Sequence, residues 1–204
     1  MKKLIKIAVM MTLALGIIGC GQSVEEAVLS AGETTDTAYT NDFFNVKFEG
    51  DKWYLANSEE LQQISNFTSD SMDNDDFEKL VESGTAAYVM YAVDNATGDT
   101  VNMIVQKLPT SLVKDVDIME AALPSLEEQL TAGLGASNVN IEITKTTVFG
   151  EEKNCMVMDY DVQGTHLYQK QVYEVKGKFY LIITATAIGE DRTDELLADL
   201  KRMN

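Results

Sequence analysis

The strongest constraint on the fold is the repeated strand pattern in the last third of the chain. Apolar and polar residues alternate over 139–143, which is the two-residue period of a half-buried strand. Three longer runs rich in β-branched and aromatic residues follow, with Gly164 and Gly177 in the turns between them: 154–162, 166–175 and 178–187. The sequence therefore predicts an antiparallel meander in this part of the chain.

Two-residue turns at 164–165 and 176–177 would fix the register of this meander. In that register Tyr173 lies opposite Tyr180. Apolar residues then occupy both faces of the sheet, one with Val157, Val172 and Leu181 and the other with Met158, Tyr160, Leu167, Tyr173 and Ile182. Because both faces are apolar, we expect further layers to cover the sheet on both sides.

The first half of the chain mixes short strands with helices. Strand patterns occur at 44–48 and 53–55, and a hairpin pattern joins 86–93 to 100–108. A capping-box pattern at Asn57 and Glu60 predicts a helix to about residue 66. A second one at Asp75 and Glu78 predicts a helix that ends at Gly84.

Two more helices are predicted in the second half. One begins at Asp117 and ends at Gly133, and Pro124 should kink or break it near Leu123 because proline removes an interior hydrogen bond. The other is a closing helix capped by Asp191. Its apolar residues should pack back on the sheet: Leu196, Leu197, Leu200 and Met203.

This element order predicts an α+β fold, with a mainly antiparallel sheet sandwiched between helices. The segment 39–46 leading to Trp53, the hairpin, and the strand 180–187 before a helix are similar to PsbP-like domains. They are also similar to small bacterial surface lipoproteins thought to share that fold. The resemblance implies a PsbP-like α/β/α sandwich over most of 39–204, and a binding or assembly role without a shared active site.

The N-terminal segment has the three parts of an export signal. A head with three lysines is followed by about a dozen apolar residues over 7–18, and Gly19-Cys20 closes the segment. The apolar run is well short of the ~20 residues that cross a bilayer as a permanent helix. The sequence therefore predicts a cleaved leader, with a plain secretory peptide and a chance cysteine as the alternative.

The leader also resembles a bacterial lipoprotein signal, whose lipobox ends in a small residue followed by cysteine. The resemblance implies that residues 1–19 are removed and that Cys20 carries fatty acyl chains such as palmitate. Residues 20–38 are small and polar, so we predict a lipid-anchored flexible tether there and a single domain over 39–204. The protein would be held on the extracytoplasmic face of the cell membrane, or on the outer membrane of a host with two membranes.

Charge excludes one class of partner. The chain has 16 basic and 33 acidic residues and a formal net charge of −17. A field of this sign repels phosphate backbones, so we expect no nucleic-acid partner. It also repels anionic headgroups, so we expect the domain to stand off the membrane that its lipid holds.

Few residues offer catalytic chemistry. His166 is the single histidine, and it follows a surface turn, so we interpret it as an exposed turn residue rather than as part of a Ser-His-Asp triad. Cys155 has no CxxC partner and is typical of a small apolar residue in a strand. Asp159 and Asp161 share one strand face about 7 Å apart, a spacing found in glycosidases, but Asp159 would pair with Lys170 across the strands.

Metal chemistry is equally sparse. One histidine and one remaining cysteine cannot supply a four-ligand zinc site, so we predict no metal or cofactor site of that kind. The acidic loop 70–76 carries four aspartates but lacks the EF-hand spacing, and calcium binding there stays open: Asp70, Asp73, Asp75 and Asp76.

Together these patterns favour a lipid-anchored, non-enzymatic binding or assembly module of the bacterial cell envelope. Its partners would be the membrane, through the lipid on Cys20, and an unidentified envelope protein. Two alternatives remain. One is an envelope hydrolase that uses Asp159 and Asp161, and the other is a receptor for a small cationic solute drawn in by the net negative charge.

Overall fold

The computed structural model describes residues 28–65, 72–109 and 114–203. The strands in these residues are β1 (Glu33–Thr34), β2 (Ala38–Asn41), β3 (Val46–Glu49), β4 (Trp53–Leu55), β5 (Ala87–Asp94), β6 (Thr100–Lys107), β7 (Ser137–Val148), β8 (Glu151–Val162), β9 (Thr165–Lys176), β10 (Phe179–Ile188) and β11 (Leu200–Arg202). The helices are α1 (Ser58–Ser65), α2 (Asn74–Glu82), α3 (Asp115–Glu128) and α4 (Thr193–Leu197), and a π-helical turn follows α3 at Gln129–Gly133.

The strands form two sheets. Seven strands make the large sheet in the order β4-β5-β6-β10-β9-β8-β7, and four make the small sheet in the order β1-β2-β3-β11. The paired strands run antiparallel in both sheets. The predicted α+β class with a mainly antiparallel sheet is therefore confirmed, and the small sheet is an addition that the sequence did not predict.

The larger apolar core lies between the two sheets. It contains buried side chains from both sheets and from helices α2 and α4, among them Tyr39, Phe48, Phe77, Val81, Leu181, Ile183, Leu196 and Leu197. Each fully buried large apolar side chain contributes roughly 1.5–3 kcal/mol to folding. This core therefore holds the small sheet, α2 and α4 against one face of the large sheet.

The opposite face of the large sheet is covered by helices. Helix α3 buries Ile118, Met119, Ala122 and Leu126 against it. Helix α1 buries Leu61 beside Tyr91 of β5. The expectation that the sheet is covered on both sides is confirmed.

The meander β8-β9-β10 is present, but its register differs from the expected one by two residues. The turns are 163–164 and 177–178, so Tyr173 lies opposite Ile182 instead of Tyr180. A shift of two residues keeps every side chain on its face, because side chains alternate with a period of two. The predicted assignment of apolar residues to the two faces is therefore correct although the pairing is not.

The helix caps were predicted with mixed success. At α1 the capping box is confirmed, because the Glu60 amide donates to Asn57 Oδ1 and the Asn57 amide donates to Glu60 Oε2, both at 3.1 Å. At α2 the cap is Asp73, which accepts from the Asp76 amide at 2.9 Å, so the predicted start at Asp75 is two residues late. The α2 helix ends before Gly84, whose φ of 95° suits glycine.

Helix α3 continues through Pro124 to Glu128, so of the kink or break predicted near Leu123 the break is absent. The buried side chains before and after the proline, Met119 and Leu126, pack against the large sheet and hold the helix together across the missing hydrogen bond. The irregular geometry instead follows the helix, in the π-helical turn. This turn buries Leu130.

The C-terminal segment differs from the predicted single closing helix: it is a short helix followed by a strand. Helix α4 is only five residues long, and Leu200 begins strand β11, which pairs with β3. Asp191 accepts from the amide and the hydroxyl of Thr193, at 3.0 and 2.6 Å, and so stabilises the turn before α4. An apolar stripe of leucines fits a short helix and a strand as well as it fits one long helix.

The domain includes residues that we assigned to the tether. Leu29 is fully buried in the larger core, and β1 pairs with β2. Asn41 Nδ2 donates to the Ser30 carbonyl at 3.1 Å, and the Tyr39 hydroxyl donates to the Ala31 carbonyl at 2.9 Å. The burial of Leu29 and these partly buried hydrogen bonds hold 29–34 on the domain, in place of the flexible tether predicted to residue 38.

Candidate functional site

Polar side chains lie together at one end of strands β7, β8 and β9. We call the set Asn138, Asn140, Asp159, Asp161 and His166 the polar strip. Asn140 lies opposite Asp159, and Asp161 lies opposite His166. Residues paired across antiparallel strands point to the same face, so the strip is one continuous surface.

Hydrogen bonds orient the carboxylates of the polar strip. Asn138 Nδ2 donates to Asp161 Oδ2 at 2.6 Å, and Asn140 Nδ2 donates to Asp159 Oδ2 at 3.1 Å. His166 Nδ1 lies 2.7 Å from Asp161 Oδ1. Asn138 has a φ of 54° where the β7–β8 register shifts, and this bulge directs its amide towards Asp161.

The electrostatics of Asp161 do not suit a general acid. Hydrogen bonds from Asn138 and then from His166 hold the pKa of the Asp161 carboxyl below its usual value. A glycosidase acid needs the opposite shift, because it must keep its proton near neutral pH. The carboxylates of the polar strip are also partly exposed rather than enclosed, so nothing in their geometry favours the hydrolase alternative.

The ion pair predicted between Asp159 and Lys170 is wrong. Asp159 lies opposite Tyr168, and Lys170 lies opposite Val157, because the β8–β9 turn is at 163–164. Lys170 Nζ instead contacts Asp194 Oδ1 of α4 at 2.6 Å. This lysine therefore connects α4 to the large sheet. The carboxylates of the polar strip contact the amides of Asn138 and Asn140 and the ring of His166 instead.

His166 is less exposed than expected. Its side chain is 33% exposed, and its ring packs edge-on against Tyr168 with centroids 4.5 Å apart. His166 and Asp161 form a histidine–carboxylate pair at the start of β9. The described residues place no serine or cysteine side chain in hydrogen-bond contact with this pair, so it lacks the nucleophile of a catalytic triad.

Cys155 is a buried side chain in β8, as predicted. It is fully buried in the larger core, and burial raises the pKa of its thiol to about 12. A thiol that stays protonated is a poor nucleophile and a poor metal ligand. We therefore interpret Cys155 as a residue that fills space in the larger core.

The acidic loop is described only in part, and Asp70 lies outside the described residues. Asp73 caps α2, and Asp76 Oδ1 lies 2.9 Å from Lys79 Nζ. No group of three or more histidine, cysteine, aspartate or glutamate side chains within the described ranges is placed to hold a metal ion. Calcium binding by the whole loop stays an open prediction.

An open cleft of ≈ 480 Å³ lies between the β1 hairpin and helix α1. Its lining includes the exposed acids Glu33 and Asp36 and three buried apolar residues, Leu55, Leu61 and Val89. Its volume falls in the range of small-molecule sites. The acids fit the receptor alternative, and the residues that line the cleft include no tyrosine.

One buried feature was not predicted from the sequence. Polar side chains of β5, β6, β10 and β9 meet in the middle of the large sheet, and we call this set the buried polar patch: Tyr91, Thr100, Asn102, Gln169, Gln171, Thr184 and Thr186. The signal was present as polar residues within strands that are otherwise apolar. Its meaning depends on the strand order, which the sequence did not show.

The predicted lipidation residue, Cys20, lies outside the described residues, as do the leader and the first part of the tether. Over the part of the chain that is described, no helix has the length and apolar character needed to span a membrane.

Comparison with known proteins identifies the fold. No family model matches the sequence, and no curated protein is significantly similar to it. Among solved structures, the solution structure of cyanobacterial PsbP (CyanoP) from Synechocystis sp. PCC 6803 matches with a TM-score of 0.51 and 10% identity, over 91% of this chain and 98% of that chain. LpqN, involved in cell envelope biogenesis of Mycobacterium tuberculosis, matches with a TM-score of 0.41 and 14% identity, over 78% and 83%. At the identity of the first match, the likeness to CyanoP shows the fold alone, and the chain has a PsbP-like fold.

Proposed function

We propose that the protein is a lipid-anchored binding or assembly module on the extracytoplasmic face of a bacterial cell envelope, without catalytic activity of its own. The observation that carries the proposal is the N-terminal pattern of a lysine-rich head, a short apolar run and Gly19-Cys20. The PsbP-like fold supports it, because this fold resembles that of binding and assembly factors.

The chemistry of the described residues also supports a binding role. The polar strip offers oriented amides and carboxylates at the surface, and the pKa of Asp161 is shifted away from that of an acid catalyst. Cys155 is buried, so Cys20 is the one cysteine of the chain that we propose for acylation. The lipid would supply the membrane contact, and an envelope protein would be the partner.

Metabolic labelling tests the anchor. The full chain is expressed in a bacterial host with an alkyne analogue of palmitate, beside the variants Cys20→Ala and Cys155→Ala. We expect label and an acylated N-terminal peptide in the wild type and in Cys155→Ala, and neither in Cys20→Ala. Label that persists in Cys20→Ala, or an unlabelled wild type, would overturn the anchor.

Crosslinking on intact cells tests the assembly role. With the native anchor in place, we expect repeated mass-spectrometric enrichment of one envelope protein over a control lipoprotein of similar abundance. A capture that enriches no envelope protein over that control would contradict a protein partner. It would direct the search to small molecules.

A further inference from the structure

The open cleft between the β1–β2 hairpin and helix α1 is bounded by two parts of the fold. One wall is the chain from Ala31 to Asp36, which includes β1 and the turn into β2. The opposite side comes from β4, α1 and β5, through Leu55, Leu61 and Val89. At ≈ 480 Å³ the cleft has room for a small molecule.

The wall formed by the N-terminal segment is fixed in place by close backbone packing. The Tyr39 hydroxyl donates to the Ala31 carbonyl at 2.9 Å. Gly32 has a φ of 81°, and a Cβ atom on it would lie 2.5 Å from the Thr40 carbonyl oxygen, so this wall contacts β2 directly. The cleft is therefore part of the folded domain and does not need a ligand to form it.

The inner surface of the cleft is apolar. Leu55, Leu61 and Val89 are exposed by only 7%, 5% and 3%. Val89 is the extra residue of a bulge in β5, where the register shifts between Tyr88 and Met90, and a bulge changes the direction in which a side chain points. Such a surface suits the methylene groups of a ligand rather than a charged group.

The charged groups of the cleft are all acidic. Glu33 and Asp36 are exposed, and the described residues that line the cleft include no lysine, arginine or histidine. Within the described ranges, neither carboxylate forms an ion pair or a side-chain hydrogen bond. The formal net charge of −17 adds to the attraction for positive ions. The complement of this cleft is therefore a cation.

The helix end in the cleft does not reverse this preference. Asn57 and Ser58 lie at the start of α1, and a helix N-terminus carries a partial positive charge. The first turn already contains the carboxylates of Glu59 and Glu60. Glu60 Oε2 also accepts from the Asn57 amide at 3.1 Å. The chain's own acids therefore offset the charge of this helix end.

The composition of the cleft selects an organic cation over a metal ion. Calcium takes six to eight oxygen ligands, whereas no group of three or more acidic, histidine or cysteine side chains is placed to hold a metal in the part of the chain that is described. An ammonium group has three hydrogen-bond donors and no acceptor, so two carboxylates suit it. A short aliphatic chain attached to it would cover the apolar inner surface.

We propose that the cleft binds a small organic cation, a primary amine on a short aliphatic chain. Its ammonium group donates to the carboxylates of Glu33 and Asp36, and its methylene groups lie on Leu55, Leu61 and Val89. The inference rests on the proposed binding role, for which it names a ligand class, and not on the lipid anchor. Amine binding is tested on purified protein and the anchor by labelling in cells, so either can fail without the other.

Thermal shift with three five-carbon compounds tests the ligand class. At neutral pH, 1,5-diaminopentane is cationic, 1,5-pentanediol is uncharged and glutarate is anionic. At equal pH and ionic strength we expect a saturable rise in the unfolding midpoint with the diamine alone, of about 2 °C or more at roughly ten times its Kd. No rise with the diamine, or an equal rise with either of the other two compounds, would overturn the proposal.

Matched double variants separate the cleft from the acidic surface as a whole. Glu33→Gln/Asp36→Asn removes both carboxylates of the cleft, and both side chains are exposed, so the variant should fold normally. Asp51→Asn/Glu127→Gln removes the same charge from two exposed residues outside the cleft lining. We expect the diamine shift to be lost in the first variant and kept in the second. An equal loss in both variants, or a shift that survives in the first, would contradict binding at the cleft.

Amide NMR spectra of the wild type locate the bound amine. Titration with 1,5-diaminopentane should move the signals of residues 31–36, 55–61 and 89, which lie along the cleft. The same titration of Glu33→Gln/Asp36→Asn should leave these signals in place. Shifts in the wild type that cluster elsewhere would place the amine at another site and overturn the assignment to the cleft.

Discussion

Arg192 holds the buried carboxylate of Asp99 through two parallel contacts. Arg192 Nε lies 2.8 Å from Asp99 Oδ2, and Arg192 Nη2 lies 2.9 Å from Asp99 Oδ1. The Asp99 side chain is 1% exposed, and its Oδ1 also accepts from the Ile188 amide at 2.9 Å. This contact joins the turn between β5 and β6 to the segment that leads from β10 into α4.

Loss of the Arg192 side chain should destabilise the protein strongly. Arg192→Met would leave the Asp99 carboxylate buried without its countercharge, at a cost of roughly 3 kcal/mol. Urea unfolding measures the change. Arg192→Lys is the matched control, because it keeps a positive charge but loses the planar fork, and it should cost less. Equal stability of Arg192→Met and the wild type would contradict this role.

The same pair should give the protein a defined acid sensitivity. Burial alone would raise the pKa of the Asp99 carboxyl, but hydrogen bonds from Arg192 and Ile188 outweigh burial and hold the pKa below its usual value. The group therefore adds stability that is present above the pKa of the unfolded chain, about 4, and is lost as the pH falls through the lower pKa of the folded state.

Unfolding free energies measured at several pH values between about 3 and 7 check this. Asp99→Asn should be less stable than the wild type at neutral pH and should lose less stability on acidification. Asp51→Asn removes an exposed carboxylate in a turn and is the control. An unchanged pH profile in Asp99→Asn would contradict the assignment.

The attachment of the N-terminal segment can be tested at two neighbouring residues. Leu29 is fully buried, whereas Val28 is 52% exposed. Leu29→Ala should cost about 2–4 kcal/mol, because it removes buried methyl groups and leaves a cavity, and Val28→Ala should cost almost nothing. Denaturant unfolding compares the two variants. Similar effects would mean that this segment does not belong to the folded core.

Cys155 should resist modification in the native protein. Its thiol is fully buried, and its pKa is raised to about 12, so the reactive thiolate is scarce. In a Cys20→Ala variant, iodoacetamide at about pH 8 should label Cys155 only after denaturant is added. Mass spectrometry gives the extent of labelling. Stoichiometric alkylation without denaturant would show that the strand opens readily.

The strands of the last third could be predicted because alternation and glycine positions are local signals. The register could not, because it depends on which residues occupy the turns. Gln163 has a φ of 51° and Gly164 a φ of 81°, so both central residues of that turn are left-handed. Such turns need positive φ at both positions, and a glutamine gives no sign that it will take one. Gly177 is the first residue of the next turn, although the pattern predicted it as the second.

The place of β11 in the small sheet could not be predicted because its pairing with β3 is long-range, whereas β1, β2 and β3 pair with strands next to them in the chain. Strand β11 pairs with β3 near the other end of the domain, and Leu200 lies opposite Phe48. Nothing in the local pattern around Leu200 separates a strand from the last turn of a helix. The buried polar patch could not be predicted for the same reason. Thr184 and Asn102 become neighbours only when β10 pairs with β6.

The candidate site was predicted at the level of residues rather than of contacts. Asp159, Asp161 and His166 were singled out, but their partners depend on the β7–β8 bulge and on the β8–β9 turn. Both features move side chains by a residue or two along a strand. The chemistry of a pair changes completely over that distance, which is why Lys170 contacts α4 instead of Asp159.

The burial of Leu29 has a consequence for how far the domain can reach. A chain extends at most about 3.5 Å per residue, so the stretch from Cys20 to Leu29 can span no more than about 30 Å. A tether to residue 38 would have allowed about twice that height. With a lipid on Cys20, as proposed, Leu29 would lie within about 30 Å of the bilayer surface. Any partner would then have to present its binding surface close to the membrane plane rather than deep in the surrounding wall or periplasm.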